Sequence, residues 1–436
     1  MGVSASAQDI VVPTGNEASE ELESLEVVDS ADIEEIDDST SIAVEMMPLT
    51  LQQKLDSMLT RGHTIKVTRY QKVRQRGRRR ARLQRVTTTV TRKPTVGCYI
   101  YNLTADTLIY ALNEKRRLLP ASTQKLFTAA AMLEHRGRRF DFETSISTMA
   151  VVRSDSTGRR YLDGDIIIHG NSDPLLSRTD AENLKDAVFE LEVDSIAGSI
   201  LLYDSERYRH QRAYDQQLPS LIARMLMKDS IAFRDPQPWG TTRERINMQQ
   251  AFVLGKVMTP LEDVLRPMLK RSTNSYAETM LLNLVPDDGN WSYQACRKAV
   301  SDTYGKAATH TSSAEQTVVA DGSGLSRGNA ASAESEVNLL RYIARNRRLF
   351  TTIYENLPIA GVDGTLIRRL KKPVVYDNVR AKTGTLNGVQ TLAGYLTASS
   401  GDRIAFAIML NDSSDATFGK HLIDEVLEQV VKEVHQ

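Results

Sequence analysis

The sequence predicts an α+β fold in which one antiparallel sheet is completed by strands from both ends of the folded region. Three observations lead there. Strand-like alternation occurs early, at Gly97–Asn102 and Thr107–Ala111, and again late, at Asn378–Lys382, Gln390–Leu396 and Arg403–Met409. Between these two groups the apolar spacing is mostly helical. A third block, residues 141–245, carries strand and helix signals of its own and reads as a smaller inserted α/β domain. With 436 residues the chain has length for two or three domains.

Taken in order, residues 1–53 hold thirteen Asp and Glu and no Lys or Arg, with few aromatics and no sustained periodicity. That is the composition of an acidic, disordered tail. Residues 61–93 reverse the sign, with thirteen Lys and Arg and no acid. Alternation at Thr64–Tyr70 and Val86–Val90 predicts a hairpin with Arg78, Arg79 and Arg80 at a charged tip. This basic arm is counted with the main domain, 54–140 and 246–436. Pro120 opens an apolar helix that runs through Leu133 and stops near Gly137. Within the insert, strands at Asp165–His169 and Ser199–Tyr203 flank a helix at about 180–191. The stretch 204–249 is polar, is punctuated by Pro219, Pro236 and Pro238, and yields no assignment. Helical spacing resumes at Leu261 and again after Ser275 through Leu284, which leaves Ser272–Asn274 in the connection. The three late strands form an antiparallel meander by their short connections. An amphipathic helix from about Lys420 to Val434 closes the chain.

A hydrophobic content of 41% and a charged content of 25% are those of an ordinary soluble globular protein. No run approaches eighteen apolar residues, so no transmembrane segment is expected. Cys98 and Cys296 are too few for a disulfide scaffold; they read as small buried hydrophobes, and their pairing is left open. The seven His are scattered and none forms H-E-x-x-H, so no metal and no other cofactor is expected, and His169 reads as an ordinary strand residue. The basic arm is either a solvated surface arm or a binder of an anionic cell-wall polymer or of the acidic tail. No recognised nucleic-acid module surrounds it, so nucleic acid is not the expected partner. Met1–Ser6 formally matches a myristoylation motif, which is set aside, because Ser4–Gln8 is closer to the small-residue end of a secretory signal whose apolar part has been removed.

Three short motifs occur once each and in order: Ser122-Thr-Gln-Lys125, Ser272-Thr-Asn274 and Lys382-Thr-Gly384. Each alone is weak; the combination is specific. Ser122 and Lys125 are one helical turn apart and share a face, so the amine reaches the hydroxyl. A serine hydroxyl needs a base to become a nucleophile, and Lys125 serves if burial and a neighbouring cation, Lys382, lower its pKa. Ser272 can relay a proton to a leaving amine, and Asn274 can hold a substrate backbone amide. Lys382, Thr383 and Thr385 can bind a terminal carboxylate. Gly384 permits a peptide to approach the strand closely, as in strand addition at a sheet edge. The backbone N–H groups of Ser122 and Thr385 are the natural oxyanion-hole donors.

The chain resembles the low-molecular-mass class C penicillin-binding proteins, the D-alanyl-D-alanine carboxypeptidase/endopeptidase (peptidase S13) family. The resemblance rests on longer strings: Pro120-Ala-Ser-Thr-Gln-Lys-Leu126, Gly170-Asn-Ser-Asp-Pro174, Ser272-Thr-Asn-Ser-Tyr-Ala-Glu278, Asp321-Gly-Ser-Gly-Leu-Ser326, Leu357-Pro-Ile-Ala-Gly-Val-Asp-Gly-Thr365 and Arg380-Ala-Lys-Thr-Gly-Thr-Leu386. It covers most of 95–205 and 255–415. It implies a penicillin-binding/transpeptidase-like domain, an antiparallel sheet flanked by helices, with the inserted domain at 141–245. It also implies acylation of Ser122 by peptidoglycan peptides ending in D-Ala-D-Ala, release of D-alanine and hydrolysis, cleavage of D-alanyl cross-links, and covalent capture of β-lactams. A periplasmic or other extracytoplasmic location follows from that activity.

Three departures stand out. Ser122 and Ser272 are only 272 − 122 = 150 positions apart, so the insert is shortened relative to the family. Thr273 stands where Asp is common, and the basic arm has no family counterpart. A β-lactamase of class A would carry E-x-x-N after the second motif, and none lies between Ser275 and Ala381; Glu244-Arg-Ile-Asn247 precedes Ser272. A catalytically silent peptidoglycan-binding protein would be expected to have lost Ser122, Lys125 or Lys382, and all three are present. Oligomeric state, stem-peptide preference and the balance between carboxypeptidase and endopeptidase action are not encoded in any motif of the chain.

Overall fold

The computed structural model of the protein describes residues 49–73, 82–204, 214–244, 250–286, 291–307, 317–413 and 415–434. Helix α1 (Leu51–Leu59) begins at a capping box in which Thr50 and Gln53 satisfy each other's backbone N–H groups. It therefore takes in residues 51–53, which the sequence assigned to the acidic tail. Strands β1 (His63–Val73) and β2 (Arg82–Arg92) pair antiparallel from His63↔Arg92 to Val73↔Arg82. This is the hairpin expected from the alternation, with longer strands; its arginine tip at 78–80 lies outside the described residues.

Strands β3 (Thr95–Asn102) and β4 (Thr107–Leu112) follow, then a 3₁₀ turn at Ala121–Thr123 that leads into α2 (Gln124–His135). The insert contains β5 (Asp141–Thr148), β6 (Val152–Ser154), β7 (Arg160–Leu162), β8 (Ile166–His169), α3 (Arg178–Phe189), β9 (Ser195–Ile196) and β10 (Ile200–Tyr203). It continues with α4 (Leu218–Lys228), β11 (Ala232–Phe233), β12 (Trp239–Thr242) and β13 (Phe252–Pro260). Helices α5 (Leu261–Lys270), α6 (Asn274–Leu282), α7 (Tyr293–Ala307), α8 (Ala333–Arg345) and α9 (Arg347–Asn356) fill the middle. Strands β14 (Arg380–Leu386), β15 (Val389–Thr397) and β16 (Arg403–Asn411) and helix α10 (Ala416–Glu433) end the chain.

The main sheet has the order β14-β15-β16-β3-β4 and is antiparallel throughout, so the late meander is completed by the early hairpin as the sequence predicted. Alternation along β16 divides its apolar run between two cores. Ala405, Ala407 and Met409 join the cluster containing α2, α5, α6 and α8. Ile404, Phe406, Ile408 and Leu410 join the cluster containing α1 and α10. With helices on both faces, nearly every residue of β15 and β16 is buried. Each fully buried large apolar side chain contributes about 1.5–3 kcal/mol, so this sandwich is the stable frame on which the motifs sit.

Two smaller sheets, β12-β10-β8-β5-β13 and β11-β9-β7-β6, pack with α3 and α4 around a third core. Strand β13 pairs with β5 so that Asp141 faces Pro260, and the Leu261 N–H donates to the Phe140 carbonyl at 2.9 Å. The chain leaves and re-enters the main domain at one point. Strand β13, which the sequence assigned to the main domain, thus pairs within the sheet of the insert. This pairing gave no local signal because β13 is an edge strand whose residues are half exposed and whose partner lies over a hundred residues away. Helix α4 was missed because Pro219 reads as a break, yet it occupies the first helical turn, where its absent N–H costs nothing. Cys98 and Cys296 are both buried, in different cores, and form no disulfide with each other.

Candidate active site

Helix α2 is buried on all sides from Gln124 to Leu133, as expected of a helix with apolar neighbours all round. Lys125 is therefore carried into the core with its side chain fully buried. Its Nζ lies 2.9 Å from Ser122 Oγ, 2.7 Å from Asn274 Oδ1 and 2.6 Å from the Ser323 carbonyl oxygen. Two of these three partners can only accept. When the amine is neutral, its two N–H bonds go to Asn274 and Ser323, and the lone pair is left facing the Ser122 hydroxyl. Burial lowers the Lys125 pKa to about 8 against the opposing pull of Glu278 and Asp321.

The loop that supplies the Ser323 carbonyl is held from below. Asp321 accepts from the Gly324 and Ser326 N–H groups at 2.7 and 2.6 Å and from Asn329 Nδ2 at 2.8 Å. Glu278, on α6, accepts from the Ser323 N–H at 2.9 Å and from the Gly322 N–H at 3.3 Å. Gly324 has φ +82°, and a Cβ there would lie 1.7 Å from the Ala121 carbonyl oxygen, so the loop presses directly on the nucleophile turn. Ala121 itself has φ +50°, a left-handed conformation that costs an alanine about 1–2 kcal/mol. Thr123 lies within 2.5 Å of Glu336 Oε1 and 2.8 Å of the Pro120 carbonyl oxygen. Glu336 is fully buried, and burial raises its pKa to about 8. In its protonated form it donates to Thr123 Oγ, which donates onward to Pro120.

The opposite wall is β14. Lys382 is fully buried, and its Nζ donates to Ser272 Oγ and to the Thr383 carbonyl, each at 2.8 Å. Its pKa falls well below the usual lysine value, through burial first and then through the charge of Lys125. The sequence places Lys382 as the cation that lowers Lys125; in the structure burial leads at both lysines and the repulsion is felt at Lys382. Ser272 has φ +63° and sits with Thr273 between α5 and α6, whereas Asn274 is already the first residue of α6. Thr383 Oγ is 2.7 Å from Thr365 Oγ. Thr365 ends a segment tied back by Lys270, which donates to the Leu357 carbonyl at 2.6 Å and to Asp363 at 2.5 Å.

Strand β14 forms one edge of the main sheet. The Ala381 N–H points outward, donating to the Pro358 carbonyl at 3.1 Å. Alternation along the strand then directs the Thr383 and Thr385 N–H groups to the same outer side, away from β15. A Cβ at Gly384 would meet Thr391 Oγ at 2.0 Å, the Pro120 carbonyl at 2.8 Å and the Ser122 N–H nitrogen at 3.0 Å. Thr391 Oγ also donates to the Pro120 carbonyl at 2.8 Å. Glycine at 384 thus lets the nucleophile turn lie against β14, with the Ser122 and Thr385 amides on one cleft. Thr385 is exposed, and Ser122 and Ser272 are half-buried.

All the motif residues named from the sequence meet here. What the sequence did not assign are the roles of Ser323, Glu278, Asp321, Thr365, Thr391 and Glu336. The first four stand in strings singled out for their resemblance, but nothing local tells that Ser323 acts through its carbonyl. Among the described residues no group of His, Cys, Asp and Glu is arranged to hold a metal, and no helix is long and apolar enough to cross a membrane.

The sequence model of the family described as D-Ala-D-Ala carboxypeptidase 3 (S13) matches residues 80–218 and 215–430. The chain is 25% identical over 428 aligned positions to D-alanyl-D-alanine carboxypeptidase DacB of Haemophilus influenzae, covering 73% of this chain and 86% of that protein. It is also 25% identical over 416 positions to the D-alanyl-D-alanine carboxypeptidase of an Actinomadura species, covering 70% and 76% of the two chains. The crystal structure of penicillin binding protein 4 from H. influenzae superposes with a TM-score of 0.65 at 23% identity, covering 76% of this chain and 96% of that one. A predatory peptidoglycan endopeptidase from Bdellovibrio bacteriovorus superposes with a TM-score of 0.54 at 17% identity, covering 79% and 96%. These two superpositions speak for the fold.

Proposed function

Because the chain belongs to the D-Ala-D-Ala carboxypeptidase 3 (S13) family, we propose that its cleft carries out acyl transfer from D-alanyl peptides to Ser122. The protein is a serine-type D-Ala-D-Ala carboxypeptidase and D-alanyl endopeptidase that binds penicillin. One observation carries the assignment of roles: a fully buried amine with a pKa of about 8, held by two obligate acceptors so that its third valence faces Ser122 Oγ at 2.9 Å.

In this reading a peptide ending in D-Ala-D-Ala lies along the open edge of β14. Its terminal carboxylate is bound by Thr383, Thr385 and Lys382, whose protonated form that carboxylate would itself favour. Ser122 Oγ attacks the carbonyl carbon of the last peptide bond while Lys125 Nζ takes the hydroxyl proton. The developing oxyanion is held by the Ser122 and Thr385 N–H groups. The C–N bond then breaks, and the proton taken up by Lys125 passes by way of Ser272, which Lys382 contacts at 2.8 Å, to the departing amine of D-alanine. Water hydrolyses the resulting ester with Lys125 again as base. Asn274 keeps its amide nitrogen for a substrate carbonyl while its oxygen holds Lys125. A β-lactam acylates the same oxygen, and slow hydrolysis of that ester is expected. With such a substrate, this reading implies a periplasmic or other extracytoplasmic location.

Labelling with a fluorescent penicillin tests the reading. Wild type should label at one site and Ser122→Ala should not; an unlabelled wild type overturns it. Turnover of a penicillin faster than a D-Ala-D-Ala peptide would make the protein a β-lactamase instead. Mass spectrometry of digested peptidoglycan fragments would report whether terminal D-alanine is released, cross-links are cut, or both.

A further inference from the structure

A second polar cavity lies at the far end of α2 from the nucleophile. It is an open groove of about 870 Å³ lined by Leu133, Arg136, Gly137, Arg138, Arg139, Arg348 and Leu349. Twelve helical residues, about 18 Å, separate it from the Ser122 turn, so a ligand there is not the reacting bond. Four arginines from two elements line it, Arg138, Arg139 and Arg348 of them exposed to solvent, and no acidic residue lines it. Arg138 reaches Glu262 at 3.3 Å and Arg136 stacks over Phe140 at 4.7 Å. The guanidinium groups of Arg139 and Arg348 have no hydrogen-bond or ion-pair partner among the described residues.

Local stability explains only part of this. Arg136 caps the C-terminal end of α2, where the helix dipole favours a cation. Arg347 and Arg348 stand in the first turn of α9, where it disfavours one, and no acid accompanies them. Gly137 lies between, with φ +80° and no atom within 4 Å of where a Cβ would be, so the cavity is open above the backbone. Planar guanidinium groups match oxyanions through paired N–H bonds, and closely spaced ones match a ligand with several charges.

We propose that this cavity binds a phosphate-rich polyanion, a short polyphosphate or phosphodiester oligomer, held chiefly by Arg139 and Arg348 with Arg136 and Arg138 beside them. Isothermal titration of the full chain with inorganic tripolyphosphate at physiological ionic strength tests this. Wild type should bind, and the Arg139→Ser/Arg348→Ser double variant should bind at least tenfold more weakly. Peptide hydrolysis and the ligand-free melting temperature of that variant should match wild type, since neither residue touches the catalytic cleft. An Arg78→Ser/Arg79→Ser/Arg80→Ser variant of the basic arm should bind as wild type does. No binding by wild type, equal binding by the double variant, or loss confined to the arm variant each overturns the proposal.

Discussion

The main sheet and the inserted sheet present their edges differently. In the main sheet β15 and β16 are buried on both faces, and the edge strand β14 is buried from Ala381 to Gly384 before it emerges at Thr385. In the inserted sheet the edge strand β13 is open along much of its length, with Phe252, Val253 and Met258 all about half or more exposed. The first arrangement leaves a side chain little freedom to shift, and it is where the proposed chemistry stands. The second tolerates change because few groups depend on it.

Substitutions should separate the two sheets by orders of magnitude. The largest effect is expected from Ser122→Ala, which removes the oxygen proposed to be acylated; penicillin labelling and peptide hydrolysis should both vanish. Lys125→Met keeps the bulk and removes the proposed base, and kcat/KM should fall by about 10²–10⁴. Retention of a tenth of wild-type activity would show that another group takes the proton. Next comes Gly384→Ala, whose Cβ would meet Thr391 Oγ at 2.0 Å and crowd the Ser122 amide. A drop in acylation rate of about 10² is expected, the scale of one lost oxyanion donor, with a lowered melting temperature.

The pH profile sharpens the same contrast. The base must be neutral, so the acylation rate should rise with pH and level off above about 8, where Lys125 has lost its proton. A profile flat from pH 6 to 9 would remove Lys125 as the base. Glu336 acts on stability in the opposite sense. Its folded pKa of about 8 lies above the unfolded carboxyl value of 4.5, so the folded state holds more protons between these values. Its contribution is fully present below about 4.5 and is lost as pH rises towards 8. The melting temperature of Glu336→Gln should therefore fall less over that window than that of wild type. The smallest effect is expected on β13: Val253→Thr should leave kcat/KM within about twofold and stability within about 0.5 kcal/mol.

Much of the main sheet was readable because its strands are short, apolar and closely connected, and the alternation in Gly97–Asn102 or Arg403–Met409 is a local signal. Helix α4 and strand β13 were not. One begins with a proline that local rules read as a break, and the other carries apolar residues that stay half exposed at an edge. The motif residues were readable for a similar reason, since Ser122 and Lys125 lie within one turn. Glu336 gave no signal, because its only described partner, Thr123, is 213 positions away.

The sequence alone determined which functional groups are present, their order, and the helical turn that brings Ser122 and Lys125 together, since these depend on neighbours along the chain. Only the tertiary structure decided that Lys125 has the setting proposed here for a base. Its pKa is set by how completely water is excluded, and its lone pair is aimed by Asn274 and the Ser323 carbonyl, 149 and 198 positions away. Desolvation and hydrogen-bond direction belong to the packed environment of a group.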